Sequence, residues 1–256
     1  MLSLFATTLA IAALAMLCVF GLSLWLRDAS IVDIYWGPGF AVIAIAAFGL
    51  GAGGERAVLA TLLTGIWGAR LGIYLFWRNA GAGEDPRYQA MRRRWGDDFP
   101  RKSLVNVFGL QGALMWFVSL PVQVVQVSGN DGLGIFDALG VAIFATGLVF
   151  ESLGDLQLAR FKADPANRAK VMDRGLWRYT RHPNYFGDCL VWWGLFTIGL
   201  STPLGVFTLA SPLLMTFFLT RVSGVALLER SIGKRRPGYA DYVRRTSAFV
   251  PRPPRD

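Results

Sequence analysis

The sequence predicts an all-α integral-membrane protein: a polytopic bundle of seven transmembrane helices in one domain over residues 1–256, N-terminus outside and C-terminus cytoplasmic. Three observations predict it. Apolar types make up 54% of the chain and charged types 17%, against roughly 25% charged in an ordinary soluble domain. The apolar residues fall in blocks of about 16–25, and a bilayer core of roughly 30 Å needs about 20 helical residues. A soluble fold has no need of such blocks, and a disordered chain would lack them. The third observation is how the 26 Lys and Arg residues are distributed around the blocks.

In chain order the blocks are 3–26, 31–50, 57–77, 104–127, 135–159, 185–200 and 204–229. The first could pass for a signal peptide, but Met1–Ala10 carries no Lys or Arg, which argues for a retained helix. The sixth is short if it starts at Tyr185, and Pro203 and Pro212 punctuate the seventh. Irregular backbone at that depth is tolerated only where protein or a cavity covers it. Segment 78–102 holds seven basic residues, segment 160–184 seven more, and the stretch from Arg221 onward nine. With Arg27 these are 24 of the 26, all on one side if seven helices alternate. The opposite loops contain only Arg56. Positive charge accumulates on the cytoplasmic side, which orients the bundle.

Composition also narrows the chemistry. Cys18 and Cys189 each lie inside an apolar block, so no disulfide framework exists. His182 is the only histidine, so no clustered metal-ligand set can form and no metal is expected. No Ser-His-Asp arrangement sits near a plausible elbow. The glycines lie within or between apolar helices, so no soluble dinucleotide fingerprint is present. Nothing resembles a groove-reading module, and no nucleic-acid partner is expected. The basic loops suit anionic lipid, and they equally suit a phosphate-bearing cofactor.

Charges inside hydrocarbon are expensive, so they face the bundle interior, paired or functional. Arg70 lies well inside the third block and Asp33 near the start of the second. Glu151 and Asp155 share one face of the fifth, with Lys162 further along the same face. Asp188 lies early in the sixth, and Arg221 and Glu229 near the end of the seventh. Interhelical pairing accounts for any one of these. As a set they suggest a shared polar pocket: carboxylates accept ribose hydroxyls or a carboxamide N–H, and arginines take phosphates. That division of labour suits a dinucleotide.

The richest stretch is Gly175-Leu-Trp-Arg-Tyr-Thr-Arg-His-Pro-Asn-Tyr-Phe-Gly-Asp188. Pro183 fits the first turn of a helix, where its missing N–H is not needed. Asn184 and Asp188 then share a face, with Arg181 and His182 at the mouth, and a helix start beside Arg181 is a natural anion site.

The run Arg181-His182-Pro183-Asn184-Tyr185-Phe186-Gly187-Asp188, followed by Arg235-Arg236-Pro237-Gly238-Tyr239-x-x-Tyr242 and by Phe249-Val250-Pro251, resembles the steroid 5α-reductase superfamily. The resemblance is greatest to its bacterial branch, a domain of unknown function. It extends to Glu84-Asp85-x-Arg87-Tyr88 and to Gln111-Gly112, covering most of the chain. Sterol reductases of the lamin-B-receptor group share the Arg-His-x-Asn-Tyr-x-Gly-Asp core. Isoprenylcysteine and phospholipid methyltransferases share Arg-His-Pro-x-Tyr-x-Gly.

The resemblance implies an NADPH-dependent reductase of the bacterial inner membrane, its cofactor side cytoplasmic. The substrate it implies is a 3-oxo-Δ4 steroid or similar lipophilic enone, and a monomer is expected. Cofactor contacts are implied for Gln111, Glu151, Asp155, Lys162, Arg174, Tyr179, Arg181, His182, Asn184, Tyr185, Asp188, Arg221, Arg236, Tyr239 and Tyr242. In the family's Asn/Asp/Arg pattern of the fifth helix only Asp155 matches outright; Glu151 and Lys162 replace the other two. Residues 135–256 would mainly bind cofactor and 1–127 mainly the substrate.

Enone reduction moves hydride to the β-carbon, and charge develops on the carbonyl oxygen, where a proton donor stabilises it. The family's acid falls on Asp33 and its tyrosine on Trp67. An indole N–H donates a hydrogen bond but does not transfer a proton at neutral pH, and Tyr35 is the alternative. Two rival classes remain: an S-adenosylmethionine-dependent lipid or isoprenylcysteine methyltransferase, and a non-catalytic lipid-binding protein. Leu228-Glu229-Arg230 has a single acid where many such methyltransferases carry adjacent glutamates.

Overall fold

In hydrocarbon every backbone N–H and C=O must be satisfied within its own segment, so the apolar blocks wind into helices. The structure, a computed structural model, describes residues 1–129, 132–222 and 238–255. Among these the only strand-like feature is an isolated parallel bridge between Thr180 and Ser247. The chain forms two compact units, Met1–Asp137 with Ile198–Thr208, and Ala138–Thr197 with Leu209–Asp256.

The first unit begins with α1 (Leu2–Leu26), α2 (Ile31–Leu50) and α3 (Glu55–Asn79). A left-handed Arg27, φ 54°, ends α1 and turns the chain into α2. α2 and α3 approach until their backbones touch: a Cβ on Gly37 would lie 2.6 Å from the Gly68 carbonyl oxygen. One turn on, Gly72 leaves room for the Pro38 ring, which a Cβ would meet at 2.6 Å. Between helices already surrounded by apolar lipid, such small-residue contacts replace the hydrophobic drive.

A short polar helix, α4 (Pro86–Trp95), follows. The chain then runs through α5 (Phe99–Ser103), a π-helical stretch Leu104–Gly109, α6 (Leu110–Val118) and α7 (Leu120–Val127). Thr8 of α1 donates to Gln123 of α7 at 2.7 Å, pairing two polar groups that would be costly alone. A buried ion pair, Arg56 to Asp137 at 2.9 Å, ties the start of α3 to Asp137, whose other oxygen accepts from the Gly134 amide.

The second unit holds most of α8 (Ile135–Ala163), α9 (Pro183–Gly199), α10 (Ala210–Phe217) with a π-helical continuation Phe218–Val222, and α11 (Tyr239–Arg245). Glycines seven apart, Gly140, Gly147 and Gly154 on α8 and Gly187 and Gly194 on α9, face one another. A Cβ on Gly187 would sit 2.4 Å from the Glu151 amide nitrogen, and one on Gly194 2.6 Å from that of Phe144.

Among the described residues five helices are long and apolar enough to cross a membrane: α1, α2, α3, α8 and the Gly205–Val222 run. The run Pro86–Val118 with α7, bent by 48°, brings the number to six if the bent pair is one span. These helices mark an integral-membrane protein. The expectation of seven spans differs at α9, whose 17 residues reach only about 25 Å at 1.5 Å per residue.

Candidate functional site

In the second unit the glycine contacts bring α9's first turn against the middle of α8. Gly154 lets Pro183 and the Asn184 amide approach; a Cβ there would lie 3.0 Å from that nitrogen. Asn184 Nδ2 therefore reaches Asp155 Oδ1 at 3.1 Å, while Asn184 Oδ1 is buried with no hydrogen-bond partner. Glu151 stands one turn before Asp155 on α8 and Asp188 one turn after Asn184 on α9, and all three acids are less than a tenth exposed. A buried amide oxygen without a donor is costly unless something supplies one. The set of one amide and three acids is rich in acceptors, which suits a ligand carrying hydroxyls or a carboxamide.

The motif before α9 is held by the chain's own backbone. Arg181 Nη1 donates to the carbonyls of Val243 at 3.1 Å and Thr246 at 2.6 Å, satisfying groups at the end of α11. Thr180 Oγ1 donates to the Phe249 carbonyl at 2.7 Å, and the Arg252 amide to Tyr179 at 3.0 Å. Trp177 Nε1 donates to the Gly154 carbonyl at 3.0 Å, and Tyr242 Oη donates to the Trp177 carbonyl at 2.5 Å. His182, also buried, stacks on Tyr185 with 5.6 Å between ring centroids. Lys162 lies exposed in α8's last turn, Tyr179 and Arg174 are exposed, and Arg221 lies exposed in the π-helical Phe218–Val222. Tyr239 and Tyr242 are buried side by side in α11. Arg236 and Glu229 lie outside the described residues.

A second constellation lies in the first unit. Asp33, in the first turn of α2, accepts Tyr88 Oη on Oδ1 at 2.7 Å and Arg87 Nη2 on Oδ2 at 2.6 Å. The motif Glu84-Asp85-x-Arg87-Tyr88 is engaged throughout. Glu84 accepts the Ala29 amide at 2.9 Å and pairs with Arg92 at 2.8 Å. Asp85 caps α4 by accepting the Arg87 amide at 2.8 Å, while its own amide donates to Ser30 Oγ at 3.1 Å. The loop is thus clipped onto the start of α2, which carries Tyr88 to Asp33.

Burial works against the charged form of Glu84, but the Arg92 hydrogen bond and the Ala29 amide outweigh it and hold its carboxyl below the usual range. Asp85 shows the same balance with Arg87.

Gln111, expected among the cofactor contacts, lies in α6 of the first unit. Trp67 is fully buried, edge to face with Phe40 at 5.5 Å, and so packs the core of α2 and α3. Tyr35, half-buried, is two residues from Asp33, a spacing that does not share a helix face. Arg70 lies over the Tyr74 ring at 5.4 Å. Tyr88 is the residue sequence reasoning passed over. Its signal was the motif in which it stands, a tyrosine among charges.

The family model for a protein of unknown function, DUF1295, matches residues 19–246. The chain belongs to that family. It is also similar to the uncharacterized protein C594.04c of Schizosaccharomyces pombe (strain 972 / ATCC 24843), 24% identical over 91% of this chain and 76% of that one. No solved structure matches.

Proposed function

We propose that this DUF1295 protein is an integral-membrane, NADPH-dependent reductase of a lipophilic enone, such as a 3-oxo-Δ4 steroid, related to the steroid 5α-reductases. The observation that carries the reading is the Tyr88–Asp33 hydrogen bond of 2.7 Å. A buried phenol on a carboxylate is what an enone reduction needs at the carbonyl oxygen, and methyl transfer from a sulfonium has no such need. Tyr88 takes the place of Trp67 and Tyr35 as donor.

The acceptor-rich set of the second unit fits the cofactor. Asn184, with its unpartnered buried Oδ1, and Asp188, Asp155 and Glu151 would hold carboxamide and ribose groups. Bound NADPH would supply the hydride. Tyr88 turns its O–H from Asp33 to the substrate oxygen, exchanging one acceptor for another. As charge grows on that oxygen the hydrogen bond strengthens, Arg87 pairs with Asp33 at 2.6 Å, and the α-carbon then takes its proton from solvent water to complete the saturated product. Counting α9 as a short span gives seven, with the N-terminus outside and the 24 clustered basic residues facing the cytoplasm of a bacterial inner membrane. A monomer suffices for this chemistry.

The deciding experiment incubates detergent-purified protein with NADPH and progesterone or testosterone and looks for the saturated product by mass. Product from wild type and its loss in Tyr88→Phe are expected. A thermal shift with S-adenosylmethionine and none with NADPH would overturn the reading.

A further inference from the structure

A cavity of about 530 Å³ opens in the second unit between the Gly175–Arg178 turn and the segment that follows α11. Four guanidinium-bearing residues line it, Arg174, Arg178, Arg245 and Arg255, with Asp173 as the one acid. None of the four is ion-paired with a carboxylate among the described residues, whereas Arg56, Arg87, Arg92 and Arg244 all are. Arginine stays charged at any working pH, so the cluster holds its repulsion permanently.

Positive-inside bias explains basic loops but does not require basic residues from two separate segments to converge on one hollow. Here both walls are fixed. The Arg255 amide donates to the Arg245 carbonyl at 2.9 Å, the Arg181 amide to Ser247 at 2.9 Å, and the Arg252 amide to Tyr179 at 3.0 Å. Tyr242 Oη closes the floor on the Trp177 carbonyl. The four arginine side chains are exposed on this fixed backbone, and their planar forks match phosphate oxygens.

We propose that this cavity binds a phosphate-bearing group through Arg174, Arg178, Arg245 and Arg255. Arg174 and Tyr242 are among the residues that the resemblance assigns to the cofactor; Arg178, Arg245 and Arg255 are not. The inference rests on charge and shape and stands whether or not the protein is a reductase. Two sources share this chemistry, a soluble nucleotide phosphate and the head group of an acidic phospholipid.

The test titrates full-length protein in neutral detergent with sodium pyrophosphate at constant ionic strength, by calorimetry. Saturable binding is expected, weakened about tenfold by Arg178→Gln and by Arg245→Gln, the loss of one good charged contact. Arg93→Gln with Arg94→Gln, which removes charge from exposed positions of α4, leaves it unchanged. Absence of saturable binding, or equal weakening in that control, overturns the site. Competition by 2′,5′-ADP, lost in the two cavity variants, identifies a nucleotide. Weaker pyrophosphate binding in phosphatidylglycerol than in phosphatidylcholine nanodiscs, only with the arginines intact, identifies a lipid. Pyrophosphate binding that neither displaces overturns the proposal.

Discussion

Tyr88 and Asp33 stand 55 positions apart in sequence, and the Tyr88 hydroxyl donates to the Asp33 carboxylate at 2.7 Å. Neither residue reaches the other without the loop that Glu84 and Asp85 fasten to Ala29 and Ser30. The donor is therefore a property of the loop–helix junction.

Tyr88→Phe keeps the ring and removes the proton. Turnover of the enone should fall by about a hundredfold or more, the range for a lost general acid or oxyanion donor. NADPH affinity should stay within twofold of wild type, and stability should drop by about 1 kcal/mol. Steady-state kinetics beside an NADPH titration separates these; an equal loss in both would make Tyr88 structural only.

Asn184→Ala removes the amide that bridges to Asp155 and whose oxygen is buried without a donor. NADPH affinity should fall about tenfold, with thermal stability nearly unchanged. The readout is quenching of tryptophan fluorescence on titration. Unaltered affinity would remove Asn184 from the cofactor set.

Gly187→Ala places a Cβ 2.4 Å from a backbone nitrogen of α8, and backbone cannot move aside as a flexible side chain can. A loss of about 1–3 kcal/mol is expected, the range for overpacking. Gly21→Ala, where nothing lies within 4 Å, should be neutral or slightly stabilising. Thermal unfolding in detergent distinguishes the two.

Acid should loosen the loop. Glu84 and Asp85 have carboxyls held below their ordinary values of 4.5 and 3.8. A depressed native pKa contributes stability that is whole above the unfolded value and disappears as pH falls through the native one. The melting temperature should thus hold from neutrality to about pH 5 and decline below about pH 4. Glu84→Gln should lower the neutral value and flatten the acid decline. An unchanged acid decline in that variant would contradict the assignment.

How much of this was legible in the sequence differs between the two units. The apolar blocks fix helices because their length and hydrocarbon setting leave no other structure, and α1, α2 and α3 fall within a few residues of expectation. Asp33 and Asn184 stand out as polar groups at helix starts. Tyr88 did not, because a tyrosine in a charged loop carries no periodicity to say where it docks. The glycines of α8 and α9 read as loose residues in apolar helices, since a seven-residue repeat means contact only once its partner is known. Arg181 looked like an anion ligand at a helix mouth, and the carbonyls of Val243 and Thr246 that its Nη1 meets lie over 60 positions away.

The pairing of Thr180 and Ser247, with Thr180 and Tyr179 also bonded to Phe249 and Arg252, has a practical corollary. A purification handle fused close behind residue 252, or a protease nick there, would tug on the turn that carries Arg181 and His182. Affinity tags for biochemical work belong at the other terminus. Loss of activity after trimming this tail would report a displaced turn together with the loss of Arg255 from the arginine-lined cavity.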